Sequence, residues 1–169
     1  MSDKNQAIIE YLSDCPYIRD NPLFFNFGNA KDNNAQIVIQ SDDTSMNSKF
    51  IDGSELRRFT FNLLVYKSIT YNPIVKNVPI VTAEPQPIYP NENVEELADV
   101  QGIIDWITTQ NDLNNFPDFG ASCEVDSIEA LTTNPSMSGV NASVTPPLAT
   151  YNISIRVVYL DTNKSIWNN

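Results

Sequence analysis

The sequence predicts an α+β fold: a single domain built on a mostly antiparallel sheet, with two helices packed on one face and a Pro-rich extended arm. Three observations carry this. Residues 3–15 and 93–110 place apolar side chains at helical spacing. Several other segments alternate apolar and polar residues at the period of a strand. The two kinds of segment do not alternate regularly along the chain, which disfavours a doubly wound parallel sheet. A chain of 169 residues suits one domain better than two, and at that size it can bury a core without a disulfide or metal staple.

In residues 3–15, Ile8, Tyr11, Leu12 and Cys15 follow the i, i+3, i+4, i+7 rule and make one apolar stripe. Ser2 or Asp3 can cap the start, and Pro16 stops the end. "PLFFNFG", 22–28, reads as a strand ending in a Gly-Asn turn. "AQIVIQ", 35–40, reads as a second, with Ala35, Ile37 and Ile39 on one side and Gln36, Val38 and Gln40 on the other. Residues 41–55 are polar and rich in turn formers, which predicts a loop.

The longest strand signal is 56–69. Phe59, Phe61, Leu63 and Val65 alternate with Thr60, Asn62, Leu64 and Tyr66. Its second half is apolar on both faces, which places it inside the sheet with both faces partly covered. Residues 72–91 hold five of the eleven prolines together with Ile74, Val75, Val78, Ile80, Val81 and Tyr89. Proline cannot donate to a ladder, so this is no central strand. It is too apolar for a free linker, and an extended arm laid against apolar surface satisfies both facts.

The second helix is expected over 93–110. Asn93 caps it, Glu96 completes a box-like pattern, and Leu97, Val100, Ile103, Ile104 and Ile107 form its buried stripe with Trp106 at the margin. "FPDFG" then reads as a helix-to-strand corner. Pro117 ends the helical region, Gly120 supplies a positive φ, Phe116 and Phe119 plug the space between helix and sheet, and Asp118 lies between them. Residues 123–132 read as a strand with Cys123, Val125 and Ile128 inward, and 133–147 as a long flexible connection. The last strand is 150–161, where Tyr151, Ile153, Ile155, Val157 and Tyr159 alternate with Asn152, Ser154, Arg156 and Val158.

Several chemistries are excluded or disfavoured. The chain has no histidine, which removes Ser-His-Asp and Cys-His catalysis and any Cys/His zinc site. Cys15 and Cys123 lie far apart in the chain with no CxxC, and two buried thiols are expected. A formal charge of −11 repels nucleic-acid phosphates. No apolar run reaches the roughly 20 residues of a membrane helix. The polar, acidic start "MSDKNQAIIEYLSD" argues against a signal peptide and predicts a protein made in a cytoplasm.

No Gly-rich phosphate loop is present, and Asp42-Asp43 lack a third ligand at calcium-loop spacing. Asp118, Glu124 and Asp126 could pair as acid and base, but solvated surface acids are the default. Arg57 and Arg58 open the long strand, where they suit local acids better than phosphate. These residues predict no enzyme and no cofactor. Two rivals stay open: a monomeric carbohydrate-binding module with an aromatic and Asn-rich face, and an acid-dependent hydrolase.

A succession of segments also carries a resemblance. It comprises a short N-terminal helix ending "CP", then "LFFNFG", "FIDGSELRRFTFNLLV", "DWI", "FPDFGASC" and "YNISIRVVYLD". This order resembles the minor structural proteins of tailed phages of Gram-positive hosts, catalogued as minor capsid or head–tail joining proteins and similar to tail terminators. It covers most of the chain, and the IDGS segment and FPDFG are its most specific parts.

The resemblance implies an α+β fold and a homo-hexameric ring that caps the tail tube and docks on the head connector, with another connector or stopper protein as the neighbouring role. The implied partners are copies of the chain itself, the tail tube protein and the connector or stopper. DNA would pass through the lumen without specific binding, and the location would be the virion tail, with no membrane. The apolar arm residues Ile74, Val75, Ile80, Val81 and Tyr89, with Arg57 and Arg58, are the expected interface.

Overall fold

A computed structural model describes residues 3–26, 28, 31–39, 46–69, 92–163 and 165. In chain order the elements are α1 (Lys4–Ser13), β1 (Leu23–Phe25), β2 (Asn34–Ile39), β3 (Met46–Lys49), β4 (Glu55–Ser68), α2 (Glu92–Asp112), β5 (Cys123–Ala130), β6 (Met137–Asn141) and β7 (Leu148–Asp161). They form an α+β domain with one seven-stranded sheet.

The sheet is organised on β4 and β7, each 14 residues long. They pair antiparallel from Glu55↔Asp161 to Ser68↔Leu148 with no break in register. β7 occupies one whole edge of β4, so β2 and β3 share the other edge, one after the other. β5 and β6 likewise share the free edge of β7. β1 joins β2 in the one parallel pairing among the described residues, and the others are antiparallel.

Two short strands, β3 and β6, lie in segments whose sequence reads as loops, 41–55 and 133–147. "MNSK" and "MSGVN" carry little alternation of their own. They become strands because the long neighbour presents unpaired backbone N–H and C=O groups that a passing chain can satisfy.

Alternation on the long strands decides which face is buried. Phe61, Leu63, Ile153, Ile155 and Val157 have at most a trace of exposure, and Phe59, Val65, Tyr151 and Tyr159 join them. Ala35 and Ile37 of β2 continue this face. On β5 the register slips between Val125 and Ser127. That bulge changes the phase of the strand, so Cys123, Val125 and Ile128 all reach the core although their numbers mix odd and even. Ile128 is fully buried and Cys123 only partly so; Cys123 therefore departs from the expected pair of buried thiols.

Both helices cover this same face, and their apolar residues join the strands in one core. α1 is capped by Asp3, whose side chain accepts from the Asn5 amide at 3.0 Å. It buries Ala7, Ile8, Tyr11 and Leu12. α2 buries Val100, Ile103, Ile104 and Ile107. It begins at Glu92, so Asn93 lies inside the helix rather than at its cap. Leu97, expected in the stripe, is 38% exposed.

The first turns of α2 meet the sheet through charge instead. Lys67 occupies an inward position near the end of β4, and its ammonium donates to Asp99 at 2.8 Å and pairs with Glu96 at 3.0 Å. Further along, a Cβ on Gly102 would land inside the Tyr17 ring, so glycine there lets the segment after α1 lie directly on α2.

Burial alone would lower the Lys67 pKa, but the two carboxylates outweigh it and hold the ammonium above its ordinary value. Its stabilisation is therefore complete below about pH 10.4 and fades as pH rises through the raised folded value. Breaking a buried ion pair costs about 3–5 kcal/mol, less where the stranded partners can hydrate. Glu96 and Asp99 are partly exposed. Lys67→Ala is expected to lower urea-unfolding stability by about 2 kcal/mol near neutrality, with a smaller difference from the parent on the alkaline limb.

Candidate functional site

The Phe116–Gly120 segment is a corner that ties α2 to three strands. The helix stops at Asp112, and Asn114, at φ 53°, turns the chain. The stop is thus set by a left-handed asparagine, upstream of Pro117. Asn115 N donates back to the Gln110 carbonyl at 2.9 Å, as expected of a closed helix end.

Phe119 is buried, edge-on to Phe59 of β4 at 5.8 Å and to Tyr159 of β7 at 5.3 Å. Gly120, at φ 89°, then leads the chain into β5, with its carbonyl accepting from Cys123 N at 2.9 Å. Asp118 is exposed, and its side chain accepts from the Gly120 amide at 2.8 Å, which stabilises the turn. Asn111 secures the other side of the corner by accepting from Ile128 N, just past the β5 bulge, at 2.9 Å.

Beside the corner lies an open cleft of about 190 Å³. Its walls are Ala7, Glu10, Tyr11 and Asp14 of α1 and the turn after it, Trp106 of α2, and Asn115–Asp118. The Tyr11 and Trp106 rings are 5.2 Å apart at 50°. The Tyr11 hydroxyl is buried and has no hydrogen-bond partner among the described residues. Burial, with a contribution from Cys15, pushes its pKa far above the ordinary tyrosine value. Burial also pushes the Cys15 thiol up to about 11, against the pull of the Tyr17 and Ile18 amides. Sequence periodicity placed Tyr11 on one helix stripe and Trp106 at the margin of the other, but nothing in it joins residues about a hundred positions apart into one cleft.

Two exposed apolar spots lie at opposite ends of the β4–β7 ladder. At one end is the β3–β4 hairpin, "FIDGS". Phe50 N donates to the Ser54 carbonyl at 2.9 Å, and Gly53 takes φ 89°. The Asp52 carboxylate accepts from the Ser54 hydroxyl at 2.7 Å and amide at 3.1 Å, and from the Ser165 hydroxyl at 3.2 Å. These bonds, the Ser54 hydroxyl first, hold its pKa below the ordinary aspartate value. The braced tip presents Phe50 half-exposed and Ile51 fully exposed. At the other end, β6 presents Met137 and Val140, both about half-exposed.

The sequence-designated residues separate into distinct environments. Arg57 is half-buried at the inner end of β4, where it donates to Glu55 and lies 3.6 Å from Asp161. The hydrogen bond to Glu55 raises its pKa further. It is engaged within its own chain. Arg58 points to the opposite face, and its Nε is buried without a hydrogen-bond partner among the described residues. Glu124 and Asp126 are exposed on β5. Ile74, Val75, Ile80, Val81 and Tyr89, with the rest of the arm, and Asp42 and Asp43 lie outside the described residues.

Phe119→Ala removes two edge-on ring contacts and opens a cavity, and is expected to cost about 3–5 kcal/mol in urea unfolding. Asp118→Ala deletes an exposed turn bond and should cost no more than about 1 kcal/mol. A corner that served mainly to hold a ligand would show the reverse ranking, with Phe119 tolerant. Neither a protein-family model nor a curated protein sequence matches the chain.

Proposed function

We propose that this protein is a structural component of a phage tail: a tail terminator that forms a ring, six copies by the resemblance, between the tail tube and the head connector. The observation that carries the reading is the pair of apolar spots at opposite ends of one rigid ladder. Fourteen paired residues span a contour of about 44 Å at about 3.4 Å per step. Phe50 and Ile51 crown one end, and Met137 and Val140 lie at the other. Two different apolar patches on distant parts of one subunit suit a head-to-tail contact, and such contacts produce rings when the rotation closes.

Charge favours the same role. Six copies carry 6 × 11 = 66 formal negative charges, so a lumen lined by part of that charge would let DNA pass without adhering. On β5, Glu124, Asp126 and Glu129 are exposed and the strand is bulged. Both features discourage indiscriminate edge-to-edge pairing and leave assembly to specific surfaces.

The test is assembly. The purified protein, alone and mixed with tail tube protein, is expected to give rings or capped tubes by sedimentation and electron microscopy. Ile51→Asp and Val140→Asp are each expected to abolish them while leaving circular dichroism and unfolding midpoints unchanged, because both side chains are exposed. A parent protein that stays monomeric at every concentration and leaves tubes uncapped would defeat the ring, as would full assembly by both variants.

A further inference from the structure

We propose that the ring joint is a plug and a groove: the Lys49–Ile51 tip of one copy seats between the start of α2 and β6 of the next copy. This rests on the ring reading and specifies where its contact lies.

The groove follows first from strand register. Met137 lies opposite Tyr151, and Val140 opposite Ala149. Residues opposite each other on paired strands share a face, so Met137 and Val140 belong to the helix-covered face of the sheet. Tyr151 and Ala149 are buried there, yet Met137 and Val140 remain about half-exposed. Neither α1 nor α2 covers β6.

α2 begins close by. Lys67 lies opposite Ala149 on the other side of β7, and Glu96 and Asp99 fix the start of α2 over it. Burial first, then the Glu96 charge, push the Tyr151 phenol above its ordinary pKa, while Lys67 pulls it down. Tyr151 thus has the start of α2 on one side and Met137 on the other. Leu97 and Trp106 are nine residues apart, which at 3.6 residues per turn sets them on opposite flanks of α2. Trp106 meets Tyr11 of α1, and α1 lies against β1, on the far side of the sheet from β6. Leu97 therefore looks toward β6, with Val94 one turn earlier, and both are exposed. Four exposed apolar side chains from two elements border one groove, and an apolar patch of this kind marks a protein contact.

Charge selects a second copy as the occupant. Phe50 and Ile51 project from a hairpin that Asp52 already braces, so little ordering is needed to seat them. Lys49 precedes them and is exposed. It lies opposite Glu55, but Glu55 is engaged by Arg57, and Lys49 has no ion-pair partner among the described residues. α2 opens with Glu92, Glu95, Glu96 and Asp99. Of these, Glu95 is exposed and has no ion-pair partner among the described residues. A free cation beside the plug and a free acid beside the groove complement each other head to tail. Two grooves facing each other would instead bring like charges together.

The test is assembly of the full chain, alone and with tail tube protein, followed by sedimentation at low salt. Lys49→Glu and Glu95→Lys each set like charges across the joint and are expected to weaken assembly about fivefold, an effect that fades at high salt. In an equimolar mixture the two variants can alternate round a six-membered ring. Every joint then carries opposite charges, and assembly is expected to return to about the parent level. Val94→Gln with Leu97→Gln is expected to weaken assembly about tenfold, with the unfolding midpoint unchanged because both side chains are exposed.

A mixture no better than its components, or full assembly by the double variant, would overturn the joint. The groove would then belong to residues 70–91 or to another protein, while rings formed by the parent would leave the ring reading standing. A parent that never forms rings removes both.

Discussion

The structure depends on the unbroken pairing of β4 with β7. Fourteen consecutive residue pairs hold one register from Glu55↔Asp161 to Ser68↔Leu148. Each strand alternates, and a slip by one residue would send Phe59, Phe61, Leu63 and Val65 to the other face and turn Thr60 and Asn62 toward the helices in their place. The ladder therefore specifies itself. Its two outer edges are long enough to take two short strands each, which is how β3 and β6 find partners with little patterning of their own.

Charged groups close the inner face of the ladder at both ends. Arg57 sits with Glu55 and Asp161 at one end, and Lys67 with Glu96 and Asp99 at the other. The apolar stretch from Phe59 to Val65 lies between them. Ion pairs of this kind add little net stability over a well-packed apolar alternative, because desolvation offsets most of the attraction. Their effect is positional: an α2 displaced along the sheet would leave the Lys67 ammonium buried without its carboxylates. The helix is thus held over one part of the sheet by a polar contact at its start and by apolar packing at its middle.

The same economy appears at the surface. Residues that brace a turn leave their neighbours presented: Asp52 fixes the hairpin that exposes Ile51, and Asp118 fixes the corner whose Phe116 and Pro117 wall the cleft. Phe119, two residues on, turns inward and locks the corner to Phe59 and Tyr159. The cleft and the apolar ends are therefore held in place by bonded turns at the ends of the frame.

Local sequence determined the elements with strong periodicity: α1, the central part of α2, β2, β4, β7 and the aromatic corner. Their patterns follow from burying one face, a rule that acts over a few residues. Tertiary structure alone decided the rest. β3 and β6 exist because a longer strand offers backbone partners. The start of α2 meets the sheet through the charged contact of Lys67, with Leu97 left partly exposed, and the expected inward placement of Ile128 is realised through a bulge that resets the strand's phase. The acidic aromatic cleft joins Tyr11, Trp106 and Phe116, which share no sequence period; only the packing of both helices on one sheet face brings them together.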